Sequence, residues 1–130
     1  MDADQHQREA IKTEFTPDFV RMGGDRDHDL VVARLIHAVL GLCSEVGELA
    51  GALKKHIIYG KALDEINILE ENGDLDWYQA VLLHAIKRTA SEAYERNIAK
   101  LRARYGDAFD PAKALNRNLD AERKALEGER

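Results

Sequence analysis

The sequence predicts an all-α protein, and three observations carry that prediction. Only two of the 130 residues are proline, and aromatic residues make up 6% of the chain. Alanine, leucine, glutamate, lysine and arginine, which favour helix over strand, are abundant. Two pairs of acidic residues stand three positions apart inside otherwise apolar stretches, which is the spacing of one helix face. A chain of this length is sufficient for one domain with its own core.

Residues 1–28 are predicted to form an N-terminal short helix and loop. The short helix is expected from Asp4 to Thr16, because Pro17 stops it. The stretch that follows, up to His28, contains Gly23-Gly24 and alternating charges, which is typical of a loop.

A long helix is predicted from Asp29 to Tyr59, at the start of a helical catalytic core that spans residues 29–106. Asp27 or Asp29 is the expected N-cap, and Gly60 occupies the C′ position at which a left-handed glycine ends a helix. Such a length is unusual in globular helices and is typical of helix bundles.

Interior glycines predict that helices cross closely beside the acidic residues. Gly41, Gly47 and Gly51 interrupt the long helix, where each costs up to about 1 kcal/mol relative to alanine. Gly47 and Gly51 share a face, and Gly73 separates the second pair of acids. The alternative is that these glycines are merely tolerated.

The remaining core helices are predicted from capping signals. A second long helix is expected from Asp64 to Arg88, after a polar loop. Thr89 and Glu92 have the spacing of a capping box, so a third helix should run from there to Tyr105.

Gly106 is expected to close the third helix, and residues 107–130 are predicted to be a C-terminal charged helix or tail. Asp110-Pro111 offers an N-cap followed by proline at the first helical position, so this last helix should begin there.

Composition limits the possible partners. The net charge is −5 and no basic stripe is present, which argues against nucleic acid as a partner. The single cysteine, Cys43, allows no disulfide within the chain and is expected to be a buried thiol. No uninterrupted apolar run reaches the length of a membrane span and no signal-peptide pattern opens the chain, so we expect a cytoplasmic protein with no membrane partner.

The acidic pairs are Glu45 with Glu48 and Glu71 with Asp74. Each pair directs two carboxylates to one side of its helix. Such pairs are solvated acids on many helix surfaces, but here their neighbours are apolar and leave no wide polar face. Four carboxylates held together would repel one another unless they bind a hard divalent cation such as Mg²⁺ or Mn²⁺.

The motif Glu45-x-x-Glu48 followed by Glu71-x-x-Asp74, with Gly73-Asp74-Leu75-x-Trp77-Tyr78, resembles the MazG-like all-α nucleoside triphosphate pyrophosphohydrolases. The resemblance covers roughly residues 30 to 120 and is closest to small stand-alone members of phage type. Ser44 stands where that family has the first glutamate of its motif.

The resemblance implies a four-helix-bundle-type fold completed by oligomerisation, with Mg²⁺ on the four acids and Mn²⁺ as a substitute. It implies hydrolysis of (deoxy)nucleoside triphosphates to the monophosphate and pyrophosphate, for nucleotide-pool control or house-cleaning. Glu45, Glu48, Glu71 and Asp74 would then be both metal ligands and catalytic residues. The preferred base and sugar stay open.

Candidate substrate contacts follow from helical spacing and from the family segment. Lys55 lies two turns past Glu48 on the acidic stripe. Asn97, Lys100 and Arg104 form a second polar stripe, and Trp77 follows Asp74 by three positions. Trp77 either stacks on a nucleobase or belongs to the core, and the lysines and arginine either bind phosphate or are solvated.

Two further expectations concern assembly and alternatives. Two long helices offer more apolar surface than the shorter, more polar helices can cover, so we expect a homodimer or homotetramer.

A ferritin-like di-iron bundle requires Glu-x-x-His pairs, and the chain has none. A non-catalytic helical regulatory or interaction protein remains the alternative to an enzyme.

Overall fold

The computed structural model describes residues 1–15 and 26–128, and within them it contains helices and no strands. The all-α prediction is confirmed. The helices of the described residues are α1 (Ala3–Ile11), α2 (Arg26–Tyr59), α3 (Glu65–Ala85), α4 (Ala90–Tyr105), α5 (Pro111–Leu115) and α6 (Leu119–Glu127).

The N-terminal boundaries differ from the prediction. α1 ends at Ile11 instead of continuing to Thr16. α2 begins at Arg26, so neither Asp27 nor Asp29 is its N-cap, because both already lie within the helix. The predicted loop glycines, Gly23 and Gly24, and Pro17 lie outside the described residues.

The glycines predicted to end α2 and α4 are confirmed, and an aspartate that was not predicted as a cap begins α3. The Asp64 carboxylate accepts a hydrogen bond from the Asn67 backbone N–H at 3.0 Å, which satisfies a free donor at the start of α3. Gly60 and Gly106 follow α2 and α4 with φ of +63° and +75°, in the region that glycine adopts without strain.

The predicted C-terminal helix is divided into two. The Asp110 carboxylate caps α5 by accepting from the Ala112 N–H at 2.8 Å, with Pro111 at the first helical position. α5 ends at Leu115, and Asn118 caps α6 by accepting from the Ala121 N–H at 3.0 Å. The side chain of Asn118 therefore starts a new helix where the sequence suggested one continuous helix.

The chain divides into two compact units, residues 1–89 and residues 90–130. In the first unit, α3 packs against both α2 and α1. Its fully buried residues are mostly small: Ala10, Ala33, Ala38, Ala52, Ala80, Val81 and Ala85. Small side chains let the backbones of α2 and α3 approach closely along their length.

At Gly41, α2 lies directly against the Tyr78 ring of α3. A Cβ added at Gly41 would overlap the Tyr78 ring, so only glycine fits this position. The prediction of close crossing at Gly47, Gly51 and Gly73 is wrong within this chain, since a Cβ at any of them would meet nothing within 4 Å. Gly41 lies about one turn before Glu45, the first acidic residue of the pair on α2.

The face of α2 away from α3 is apolar and exposed. Cys43 lies on it, so the expectation of a buried thiol is wrong. Among the described residues, one helical stretch, Leu30–Tyr59, is long and apolar enough to cross a membrane by length and composition alone. The same test is passed by helices of soluble proteins, so it is weak evidence for a membrane.

Candidate metal centre

Three of the four predicted acids come together between α2 and α3. One carboxylate oxygen each from Glu45, Glu71 and Asp74 lies within 4.8 Å of the others. Glu71 and Asp74 are three residues apart and share a face of α3, while Glu45 reaches them from α2. Both helices extend well past the cluster on either side, which fixes the positions of all three backbones.

The three carboxylates run from the interior to the surface. Glu71 is 4% exposed, Glu45 is half-buried and Asp74 is exposed. The Asn67 side-chain amide donates to the Glu71 carboxylate at 2.7 Å, from one turn earlier on α3. The buried end of the cluster is therefore held in position, and the end at Asp74 is open to solvent.

Burial raises the pKa of Glu45 above its usual range. A hydrogen bond with the Glu71 carboxyl raises this pKa further, as do the negative charges of Glu48 and Asp74. Two carboxyl groups can share a hydrogen bond only if one of them carries a proton. The chain alone thus favours a proton at this position, and a bound cation would take its place.

No lysine or arginine neutralises this cluster from within the part of the chain that the structure describes. None of the ion pairs there includes Glu45, Glu71 or Asp74. A buried carboxylate without a cation or full hydrogen bonding is costly, so the arrangement calls for a positive charge from outside the chain.

The donor set fits a hard divalent cation. All three groups offer oxygen, which Mg²⁺ and Mn²⁺ prefer. A cation that binds oxygen at about 2.1 Å allows at most about 4.2 Å between two of its ligands. The observed limit of 4.8 Å needs only a small inward shift of side chains, and the exposed Asp74 is free to make it.

Glu48, the fourth predicted acid, is exposed and lies outside the group of three. It is nevertheless close enough for its charge to raise the pKa of Glu45. Glu48 stands one turn after Glu45 on α2, at the solvent side of the cluster. Its placement suits a ligand that joins when a cation binds.

Trp77 belongs to an aromatic group between α2 and α3. Its ring meets Tyr78 edge-on with centroids 4.9 Å apart, and His37 packs against both rings. The Trp77 indole N–H donates to the Thr13 hydroxyl at 2.8 Å. The buried Nδ1 of His37 has no hydrogen-bond partner among the residues that the structure describes. These contacts match the core interpretation of Trp77, one turn along α3 from Asp74.

The predicted substrate contacts fall in both units. Lys55 is exposed on α2, in the unit that carries the acids. Asn97, which is exposed, Lys100, which is half-buried, and Arg104 lie on α4 in the second unit. Each unit is described by itself, so the placement of these three relative to the acids stays a prediction.

Arg104 takes part in an ion pair that sequence reasoning missed. Its guanidinium donates two hydrogen bonds to the Glu122 carboxylate, at 2.8 and 2.6 Å. Arg117 donates to the same carboxylate at 3.1 and 2.6 Å. The hydrogen bonds from Arg104, and next those from Arg117, lower the pKa of Glu122 below its usual range. The same bonds raise the pKa of both arginines.

The contact of Asn67 could have been predicted from the sequence, but the contact of Glu122 could not. Asn67 precedes Glu71 by four positions, which is a one-turn spacing that could have indicated its hydrogen bond. Glu122 is 18 positions from Arg104 and lies in a separate helix, so no local pattern signals the contact.

No protein-family model matches the chain, and no curated protein or solved structure matches it either. The geometry of the chain's own residues and the sequence motif that they form are therefore what indicate a function.

Proposed function

We propose that the protein is a divalent-metal-dependent hydrolase that converts (deoxy)nucleoside triphosphates to the monophosphate and pyrophosphate, as a MazG-like enzyme. The observation that carries the proposal is the cluster of Glu45, Glu71 and Asp74, which gathers three carboxylates around a partly buried point. No ion pair among the described residues neutralises these carboxylates. The sequence motif points to the same residues.

Glu45, Glu71 and Asp74 would hold the cation, with Glu48 joining from the solvent side. Mg²⁺ is the proposed cofactor, and Mn²⁺ should substitute for it, since both prefer oxygen ligands. When bound, the cation neutralises phosphate charge and lowers the pKa of water. Asn67 is a positioning residue, because its amide holds the Glu71 carboxylate in place.

The substrate requires positive side chains as well as the cation. A triphosphate carries a charge of about −4, which the acidic cluster would repel without cationic groups around it. Lys55 stands two turns past Glu48 on the same side of α2, at a distance that a triphosphate can span. Lys100 is proposed as a second phosphate contact and Asn97 as a hydrogen-bonding partner of the base or ribose.

Arg104 and Trp77 are subject to specific constraints as substrate contacts. The Arg104 guanidinium would have to leave Glu122, to which it donates two hydrogen bonds, before it could bind phosphate. Trp77 has its N–H bound to Thr13 and one side against Tyr78, so only a remaining exposed part of the ring is available to a base.

We further propose that the enzyme acts in the cytoplasm as a homo-oligomer, with nucleotide-pool control or house-cleaning as its role. Its substrate is a small anionic molecule, and the acidic cluster would repel a nucleic-acid backbone.

A panel of ribo- and deoxynucleoside triphosphates tests the reaction. With Mg²⁺ present, chromatography should show monophosphate and pyrophosphate, and chelation by EDTA should stop their formation. Diphosphate and orthophosphate as products would reject the assignment. Asp74→Ala should abolish turnover while the fold is retained. Asp76→Ala is its matched control, because Asp76 is an exposed acid on α3, two residues from Asp74 and outside the cluster.

A second candidate is a non-catalytic interaction or regulatory protein. The exposed apolar face of α2 favours it, since large exposed apolar patches mark interaction surfaces. Absence of turnover with every nucleotide in the panel, together with retained metal binding and fold, would favour this candidate over the enzyme.

A further inference from the structure

α2 carries an apolar seam on the side that faces away from α3. Its members are separated alternately by four and three residues, and every one is exposed. They are Val32, Ile36, Val39, Cys43, Val46, Ala50, Leu53 and Ile57. This alternation is the heptad spacing by which two helices pack along each other, and no charged residue interrupts it.

The seam is separate from the acidic cluster. At 100° per residue, its centre lies about 130° around the helix from the mean direction of Ala38, Glu45 and Ala52, which are turned towards α3. α2 is thus apolar on two separate sides. A helix with that character needs cover on both of them.

The seam is complementary to itself when two copies run antiparallel. Centred between residues 44 and 45, the pairing places Val32 against Ile57, Ile36 against Leu53, Val39 against Ala50 and Cys43 against Val46. Each layer then joins two apolar residues, and the two-fold axis repeats every contact. A closed two-fold interface of this kind requires only one surface.

Leu40 and Gly47 flank the seam and complement each other in the same register. Leu40 is 65% exposed, although it is a large apolar residue in the middle of a helix. A Cβ added at Gly47 would meet nothing within 4 Å, so a shallow space lies above that residue. In this register Leu40 of one copy lies two residues, about 3 Å along the helix axis, from the point opposite Gly47 of the other. Its side chain can therefore cover the space above Gly47, twice by symmetry.

Charge favours the antiparallel orientation. Lys54, Lys55 and Lys61 lie at or just past the C-terminal end of α2 and are exposed. Parallel helices would bring these lysines of both copies to one end, and would also align the helix dipoles unfavourably. Antiparallel helices keep the two lysine groups apart at opposite ends of a seam about 38 Å long.

A lipid bilayer is the alternative environment for the apolar seam of α2, but the positions of Glu45 and Glu48 make it unfavourable. Glu45 and Glu48 stand near the middle of the stretch Leu30–Tyr59 that is long enough to span a membrane. Ionised carboxylates at the bilayer centre are costly. A partner helix leaves both residues at the edge of a protein interface, where water and cations reach them.

We infer that α2 pairs antiparallel with α2 of a second copy of this chain through the seam, with Leu40 packed over Gly47 of the other copy. The inference does not rest on the proposed hydrolase activity. Its readouts are mass and cross-linking, so a catalytically inactive protein would leave it standing, and an active monomer would overturn it alone.

The test places a second cysteine in the seam. In Val46→Cys, antiparallel pairing sets the introduced thiol of each copy in the same layer as the native Cys43 of the other, so mild oxidation should give a covalent dimer nearly completely. Gln79→Cys, on the exposed surface of α3, is the matched control and should give little. Equal cross-linking of the two variants overturns the inference. Ile57→Cys on a Cys43→Ser background separates the two orientations. Antiparallel pairing keeps its two introduced thiols about 38 Å apart, so efficient cross-linking of this variant requires parallel helices and overturns the antiparallel orientation.

Sedimentation and vesicle flotation complete the test. The unsubstituted protein should sediment at a multiple of its 14.6 kDa chain mass, and Leu40→Glu should shift the mass towards that of one chain. Because Leu40 is exposed, its replacement should leave the helical circular dichroism unchanged. A monomeric unsubstituted protein, or flotation with vesicles of phosphatidylcholine and phosphatidylglycerol, would overturn the inference.

Discussion

Glu71 of α3 and Glu122 of α6 are equally buried, at 4% and 3% exposed, but their surroundings are opposite. Glu122 accepts hydrogen bonds from Arg104 and Arg117, so its charge is neutralised within its own unit. Glu71 has an amide from Asn67 and two further carboxylates as neighbours.

The difference separates a structural carboxylate from a candidate functional one. A buried acid that is paired with arginine has all it needs for stability and offers nothing to a ligand. A buried acid placed among other acids lowers the stability of the empty protein, and only a cation from outside restores the balance.

The largest effect is expected on catalysis. Asp74→Asn keeps the size of the side chain and removes its charge, so the cluster loses a ligand. We expect kcat/KM for the preferred nucleotide to fall by at least ~100-fold, with the fold retained. Steady-state kinetics measures this, with Asp76→Asn as the control that should stay within about twofold. Comparable losses in both variants would show a general sensitivity of α3 to charge.

The proposed phosphate contact should show a smaller loss. Lys100→Ala is expected to reduce kcat/KM about tenfold or more, which corresponds to one charge-assisted contact of about 1.5–3 kcal/mol. Arg102→Ala is the control, because Arg102 is an exposed cation two residues further along α4. Unchanged kinetics in Lys100→Ala would mean that Lys100 is a solvated surface residue and not a phosphate contact.

The two buried glutamates should respond to neutralisation with opposite signs. Glu122→Gln leaves Arg104 and Arg117 without their anion, so we expect the melting temperature to fall by several degrees. Glu71→Gln removes repulsion from Glu45 and Asp74, and should leave the metal-free melting temperature unchanged or higher.

Thermal melts in EDTA compare the two variants. A fall of similar size in both would mean that Glu71 contributes stability through its own hydrogen bonds, and that the acidic cluster is a structural feature like the pair in the second unit.

The pH dependence should be the subtlest difference. The pKa of Glu45 is raised by folding, so its favourable contribution is present at low pH and is lost as pH rises through the raised value. A divalent cation competes with that proton, so the rise in melting temperature caused by Mg²⁺ should be larger at pH 7.5 than at pH 5. Melts at both values, with and without Mg²⁺, measure it. An equal rise in melting temperature at the two pH values would show that Glu45 does not bind the cation.

Glu122 has the opposite linkage. Its pKa is lowered by Arg104 and Arg117, so its contribution is present above the unfolded value and is lost as pH falls through the folded one. Acid should therefore weaken the second unit through Glu122 while it relieves the repulsion around Glu45.

Local signals predicted much of this molecule. The glycines after α2 and α4, the cap at Asp110 and the all-α class follow from residues close together in the chain. The acids at i and i+3 were found for the same reason. Glu45 met Glu71 and Asp74 as expected because α2 and α3 pack side by side.

Contacts that join distant residues or depend on crossing geometry were beyond the sequence. Glu122 pairs with arginines on other segments, and Gly41 was one of three similar glycines until the Tyr78 ring distinguished it. Cys43 was misplaced because α2 is apolar on both sides, and periodicity does not say which side packs against α3.

Direct metal binding tests the central claim most closely. Titration of the metal-free protein with Mn²⁺, followed by electron paramagnetic resonance of the free ion, should reveal saturable binding that Mg²⁺ competes away. Glu71→Gln and Asp74→Asn should lose this binding, while Glu122→Gln and Asp76→Asn should keep it. Binding that survives both substitutions in the cluster, or its absence from the unsubstituted protein, would contradict the assignment of Glu45, Glu71 and Asp74 as a metal centre.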